Sequence, residues 1–246
     1  MSLRWITAVI VRPAELFAES VQFWTQVTET HAAAPDQVDP AGLVELVPSA
    51  GDSCLNLQQV HGQPGVRLDL EFDDADEAVI AAASLGAVVS EGHAGTELRS
   101  PGGLQFRVGG WRGSAARPAV VTGTDGTTLL DQVCIDIGPA AYDAEVAFFH
   151  AVTGWDLHRG SLPEFSVLRS PARGPMRILL QRLEAEREAS VHLDFACSDP
   201  TAARRRHEGL GAQYVARGLR WSVMRDSSGA RYCLTERDPQ TGLLPG

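Results

Sequence analysis

The stretch VHLDFACSDP, residues 191–200, is a near-copy of VRLDLEFDDA, residues 66–75, which lies 125 positions earlier. In both, polar and apolar residues alternate, the signature of a strand with one buried face. In both, an aspartate follows that can cap a helix: Asp73 or Asp74 in the first copy, Asp199 in the second. Pro200 then stands at the first helical position, where its missing N–H costs nothing. Strand-then-helix is therefore written twice. The copies differ at one chemically telling place, because His192 in the second is Arg67 in the first.

The likeness extends outward in a fixed order. LGA at 85–87 recurs at 210–212, and SVQFWTQVTE (20–29) resembles EVAFFHAVTG (145–154). LNLQQV (55–60) resembles ILLQRL (178–183), and SPGGLQFRV (100–108) resembles DSSGARYCL (226–234). A repeat at a near-constant offset marks a duplication. Between the copies, RGSAARPAVVTGTDGTT (112–128) is rich in Gly, Ala, Ser and Thr and reads as a linker. The expectation is two homologous domains, residues 1–112 and 129–240, joined by residues 113–128. Inside each, one strand, one helix and three strands are followed by the same series again. In the first domain RLDLEF precedes a helix that stops at Gly86, and AVVSE, TELRS and LQFRV follow as strands. In the second, QVCIDI precedes the helix DAEVAFFHAVTG and strands near 155–159, 164–169 and 176–183. HLDFAC then precedes a helix ending at Gly211 and the strands QYVAR, RWSVMR and ARYCLT. The chain thus holds four βαβββ modules, an α+β class.

Composition narrows the function classes. The 246 residues are 44% apolar and 21% charged, as in ordinary soluble domains. All 21 basic residues are arginine, a mark of a GC-rich bacterial genome, and the net charge is −10. The one basic run, Arg204-Arg205-Arg206, falls on an expected helix face, so no nucleic-acid partner is expected. Residues 1–112 carry 6 arginines against 15 acids, and residues 128–246 carry 14 against 15. There is no run of about 18 apolar residues to span a membrane. The start, MSLRWITAVIV, is too short in apolar length for a signal peptide, which predicts a cytoplasmic protein. Cys54, Cys134, Cys197 and Cys233 stand singly without CxxC spacing, so they read as free thiols.

These residues resemble the vicinal oxygen chelate superfamily of glyoxalase I, bleomycin-resistance proteins and extradiol dioxygenases. The likeness is greatest to an actinobacterial glyoxalase-like branch. It is carried by HLDFACSD (192–199), LGA (210–212), WSVMRDSSG (221–229) and YCL (232–234). RLDLEFDD (67–74), LGA (85–87) and SPGGLQFRV (100–108) carry it more loosely. The resemblance covers nearly the whole chain and is far more specific for fold than for activity. It implies paired βαβββ modules rolling mixed sheets into cups, one in each of two tandem glyoxalase-like domains. It also implies metal ligands on the concave face, His or Gln, His, and Glu, from the first strand of each module and the last strand of the second.

Strand alternation assigns residues to these faces. Leu193, Phe195 and Cys197 should pack on helices, which leaves His192 and Asp194 for the cup. Tyr232 and Leu234 should pack, which leaves Arg231 and Cys233. Val133, Ile135 and Ile137 should pack, which leaves Gln132, Cys134 and Asp136. The positions that the resemblance marks for metal are then Gln132, His192 and Cys233 in the second domain, and Ile6, Arg67 and Arg107 in the first. A guanidinium cannot ligate a metal, so the first cup is expected to have none. Arg67 reads either as the partner of Asp69 or, with Arg107, as part of an anion pocket. Cys233 in place of the glutamate points to a second cup that binds a small organic ligand without metal. Its candidate contacts are Gln132, His192, Asp194, Arg231, Cys233, Gln181 and Trp221. The alternative is a lyase or dioxygenase with a divalent metal at Gln132, His192 and Cys233. Gln58 and Gln181 recur at equivalent places, whereas Trp24, Phe148, Phe149 and Trp155 read as core. His150 reads as surface or packing, and His31, His61, His93 and His158 show no ligand spacing. No membrane partner is expected, and a homodimer is left open.

Overall fold

The computed structural model describes residues 1–34, 42–92, 95–123, 126–170 and 174–245. The first module runs β1 (Leu3–Pro13), α1 (Ala14–Thr28), β2 (His31–Ala32), β3 (Leu43–Val47) and β4 (Leu55–Val60). The second runs β5 (Gly65–Phe72), α2 (Ala75–Ser84), β6 (Val88–Gly92), β7 (Gly95–Arg99) and β8 (Gln105–Gly110). The stretch read as a linker carries β9 (Val121–Gly123) and the opening residues of β10 (Gly126–Ile137), which pair antiparallel. β10 starts the third module and is followed by α3 (Tyr142–Thr153), β11 (Asp156–Arg159), β12 (Phe165–Arg169) and β13 (Arg177–Arg182). The fourth is β14 (Ser190–Cys197), α4 (Pro200–Gly209), β15 (Gln213–Arg217), β16 (Trp221–Arg225) and β17 (Arg231–Thr235). Among the described residues no helix is long and apolar enough to cross a membrane.

Two mixed sheets result, with matching strand orders: β2-β3-β4-β1-β5-β8-β7-β6, and β11-β12-β13-β10-β14-β17-β16-β15. β5–β8 and β14–β17 are parallel pairs, whereas the hairpin strands pair antiparallel. Register confirms the duplication residue by residue. Asp69 lies opposite Arg107 in one copy and Asp194 lies opposite Cys233 in the other.

Local chemistry sets the helix ends as the sequence predicts. Asp74 accepts a hydrogen bond from the Glu77 amide, and Asp199 accepts from Thr201 and Ala202, which satisfies amides that have no partner inside the helix. Gly154 closes α3 in the left-handed conformation at φ 66°. The matching position after α1 is Glu29, held at φ 50°, where a side chain costs on the order of 1 kcal/mol more than glycine.

By compactness the residues gather into two units, each drawing on both sequence repeats. One comprises Met1–Val9, Val66–Arg117 and Val133–Val191. The other comprises Ile10–Gly65, Pro118–Gln132 and His192–Gly246. In the first unit, Phe106 of β8 meets Phe148 and Phe149 of α3 at ring separations of 5.9 and 6.0 Å. The carboxylate of Glu145 accepts from the Ser100 hydroxyl at 2.5 Å and the Gly102 amide at 2.7 Å. A Cβ at Gly102 would stand 2.8 Å from that carboxylate, which would have to shift to admit it. In the second unit, Trp24 of α1 stacks on Phe195 of β14 at 6.3 Å and meets Tyr232 of β17 edge-on at 5.6 Å. Arg12 and Asp226 form an ion pair at 2.7 Å in which both side chains are buried.

Candidate functional site

Alternation along β14 and β17 sorts the side chains as their polarity demands. Phe195 packs against Trp24, His207 and Tyr232. On the opposite face, the ligand atoms of His192, Asp194 and Cys233 lie within 4.8 Å of one another. Gln132 of β10 joins them, because its side-chain amide donates to Asp194 Oδ2. His192 Nε2 stands 3.3 Å from Asp194 Oδ1. This is a close approach rather than a formed hydrogen bond, for Oδ1 is buried without a hydrogen-bond partner among the described residues.

A second buried pair backs this group. Arg237 donates to Asp131, and both side chains are almost wholly enclosed. Burial alone would raise the Asp194 carboxyl. The close approach and charge of His192, the charge of Arg237 and the Gln132 amide outweigh burial and hold it below the usual aspartate range. Burial works against the Arg237 charge in the same way, yet Asp131 and Asp194 leave its pKa raised. Asp194 is therefore a carboxylate in a dry setting, fixed from several sides, and the His192 side chain remains 15% exposed.

Arg231 is exposed and pairs in register with Arg225. Trp221 leans onto the backbone of Gly218, where a Cβ would come within 2.1 Å of the indole, so the ring covers a β15–β16 turn. In the other compact unit, the Cys134 thiol approaches Gln181 Oε1 at 3.8 Å. There Arg67 grips Asp69 at 2.7 and 3.2 Å, and Arg107 grips Glu97 at 3.0 and 2.6 Å. Each guanidinium is thus engaged by a carboxylate of its own sheet, which is the ion-pair reading of Arg67. Gln58, Trp24, Phe148, Phe149 and Trp155 are buried. His150 is exposed and reaches the Trp155 carbonyl at 2.8 Å through Nδ1. His93 lies outside the described residues. Asp131 and Arg237, which back the site, were not among the sequence candidates. Asp131 is a charge in the middle of β10, directly after Leu129 and Leu130, and Arg237 lies two residues past the end of β17.

A divalent metal is the group that the fold implies, and the donors here suit one. An imidazole, a carboxylate and a thiol within a single pleat form a set that borderline ions such as Zn²⁺ accept. The carboxylate missing at position 233 is supplied by Asp194 on the neighbouring strand. The orphaned Oδ1 of Asp194 is a ready ligand atom.

A family model described as a glyoxalase-like domain matches residues 8–109 and again residues 132–235. No curated protein matches the chain in sequence. Among solved structures, the Mn(II)-bound glyoxalase from Novosphingobium aromaticivorans superposes with a TM-score of 0.66 at 16% identity, over 99% of this chain and 86% of that one. The 2,2',3-trihydroxybiphenyl 1,2-dioxygenase from Sphingomonas wittichii gives 0.62 at 14%, over 99% and 95%. A xylose isomerase-like TIM barrel/4-hydroxyphenylpyruvate dioxygenase fusion protein gives 0.62 at 13%; all of this chain matches, spanning 50% of that protein. At these identities the likeness is one of fold.

Proposed function

Since the chain belongs to the glyoxalase-like domain family through both of its matched segments, we propose that it binds a small organic ligand at His192 through an oxygen of that ligand. The observation that carries this reading is the relay Gln132–Asp194–His192. A carboxylate against one ring nitrogen selects the imidazole tautomer and raises its basicity. Gln132 in turn prevents Asp194 from rotating away. Such an imidazole binds an acidic hydroxyl or a carbonyl and can exchange a proton with it. The Arg237 guanidinium of the enclosed Asp131–Arg237 pair favours Asp194 as the anion.

A second reading is favoured by the His192, Asp194 and Cys233 cluster. Those residues would hold a divalent ion, which when bound supplies Lewis-acid polarisation of a ligand oxygen, as a lyase or dioxygenase requires. Two measurements separate the readings. A set of hydroxy- and oxo-compounds screened by ligand-observed NMR should give binders whose signals vanish with His192→Ala, while the melting temperature stays within a few degrees. Elemental analysis of the purified protein should show no stoichiometric metal. Stoichiometric Zn, Mn or Fe that disappears in His192→Ala transfers the function to the metal reading. Binders indifferent to His192→Ala remove His192 from the site.

A further inference from the structure

Two arginines face each other across the end of the β16–β17 hairpin. Arg225 lies directly opposite Arg231, and both are exposed. The Asp226 amide donates to the Ala230 carbonyl at 2.9 Å, so the next pair inward, Arg225 and Arg231, is a non-hydrogen-bonded one. In such a pair opposed side chains come closest, with Cα atoms about 4.5 Å apart. Like charges set directly opposite one another destabilise an antiparallel ladder. Among the described residues neither guanidinium has a hydrogen bond or an ion pair. The adjacent carboxylate, Asp226, is buried and turned to Arg12 and to the turn amides.

The duplication supplies its own control. In the first repeat the same two positions are Arg99 and Gln105, so the ladder carries a single charge there. Glu188 meets that charge at 2.6 Å. On the neighbouring strand Val88 stands opposite Arg99, whereas Gln213 stands opposite Arg225. Where the first copy sets one neutralised arginine beside a valine, the second presents two uncompensated arginines beside an amide. That row leads to His192. Parallel β14 and β17 are in register from Leu193 opposite Tyr232, so the residues just before these, His192 and Arg231, stand side by side. Arg231 lies two residues before Cys233 and shares its face of the strand, the face that holds the His192, Asp194 and Cys233 cluster.

We infer that Arg225 and Arg231 bind an oxyanion, and that the ligand reaching His192 is a hydroxy compound carrying a phosphate group. The oxyanion site stands on the arginines alone, and the link to a hydroxy compound rests on the His192 reading above. Guanidinium forks match the oxygens of a phosphate. A phosphate ester carries about 1.5 to 2 negative charges at neutral pH, enough to cancel both arginines. The surroundings do not oppose its approach, since residues 128–246 carry 14 arginines against 15 acids.

Inorganic phosphate is the first probe, titrated into the full chain at neutral pH and constant ionic strength and followed by amide chemical shifts. It should move the signals of β16 and β17 saturably, and sodium chloride at the same ionic strength should not. Arg231→Gln, which installs the residue of the first repeat, and Arg225→Gln should each weaken phosphate binding roughly tenfold. Without phosphate both variants should melt no lower than the native protein, because each relieves a repulsion. Phosphate shifts that survive both substitutions, or that chloride reproduces, would overturn the inference. Variants that melt well below the native protein would overturn it too, by showing that the arginines serve the fold. Glycerol phosphate probes the other end of the ligand. It should bind more tightly than inorganic phosphate, and His192→Ala should remove that advantage while inorganic phosphate still binds. Glycerol phosphate that depends on Arg231 and gains nothing from His192 would uphold the oxyanion site and sink the His192 reading instead.

Discussion

Asp226→Ala is expected to destabilise the protein by about 3–5 kcal/mol, because it strands the Arg12 guanidinium in the interior. Both side chains of the pair are essentially sealed, at 1% and 0% exposure. Asp226 also accepts the Trp24 indole N–H at 3.1 Å, the Ser228 amide at 3.0 Å, the Ser228 hydroxyl at 2.7 Å and the Ala230 amide at 2.9 Å. One carboxylate therefore joins β1, α1 and the turn before β17. Arg12 keeps the carbonyls of Val11 and Gly65 and the Ser228 hydroxyl, yet none of these cancels its charge. Urea denaturation at neutral pH measures the loss. A cost below about 1 kcal/mol, the size of an exposed pair, would show that water reaches the site. The Arg12→Met, Asp226→Leu double variant should cost much less than Asp226→Ala alone, since it removes both charges together.

Acid should unfold the protein through His207. Burial pushes its pKa down to about 3, and the neighbouring Arg206 pushes the same way. The ring is fully enclosed, with Nδ1 sharing a 2.9 Å hydrogen bond with the Tyr232 hydroxyl and Nε2 lacking a partner among the described residues. In the unfolded chain the same imidazole titrates near 6.5. The folded pKa is the lower one, so the unfolded state takes up the proton first. Stability from this group is therefore complete above pH 6.5 and falls at up to about 1.4 kcal/mol per pH unit. The loss levels off near pH 3 and totals on the order of 4 kcal/mol. Glu145 acts in the opposite sense. Burial raises its pKa despite the Ser100 and Gly102 hydrogen bonds, so acidification favours the fold there. The test compares denaturant midpoints at pH 7 and pH 4 for the native protein and His207→Gln, which retains a partner for Tyr232. A flatter pH response in the variant is expected, and identical responses would clear His207 of the effect.

What could be read in advance was whatever depends on neighbours in the chain. Alternation separated His192, Asp194 and Cys233 from Leu193, Phe195 and Tyr232, and the caps Asp74 and Asp199 and the stops at Gly86 and Gly211 followed from local turn chemistry. Pairings between distant modules were not legible. Nothing near Arg12 announces Asp226, and nothing near Ser100 announces Glu145. The anchoring of Asp194 by Gln132 also escaped reading, because alternation gives the face of a side chain and not its partner across the sheet.

The composition of the compact units bears on how the chain is made. Neither unit is assembled from one repeat alone: the first needs residues up to Val191, and the second needs the segment His192–Gly246. A nascent chain that has emerged only through the first repeat leaves α1 without Phe195 and Tyr232, and β8 without Phe148. Folding is then postponed until late in translation, and the long-range contacts make it slow. Ribosome-bound chains arrested after residue 128 should be cut readily by protease, whereas chains with the full sequence extruded should resist. Equal resistance at both lengths would mean that the first repeat closes on its own.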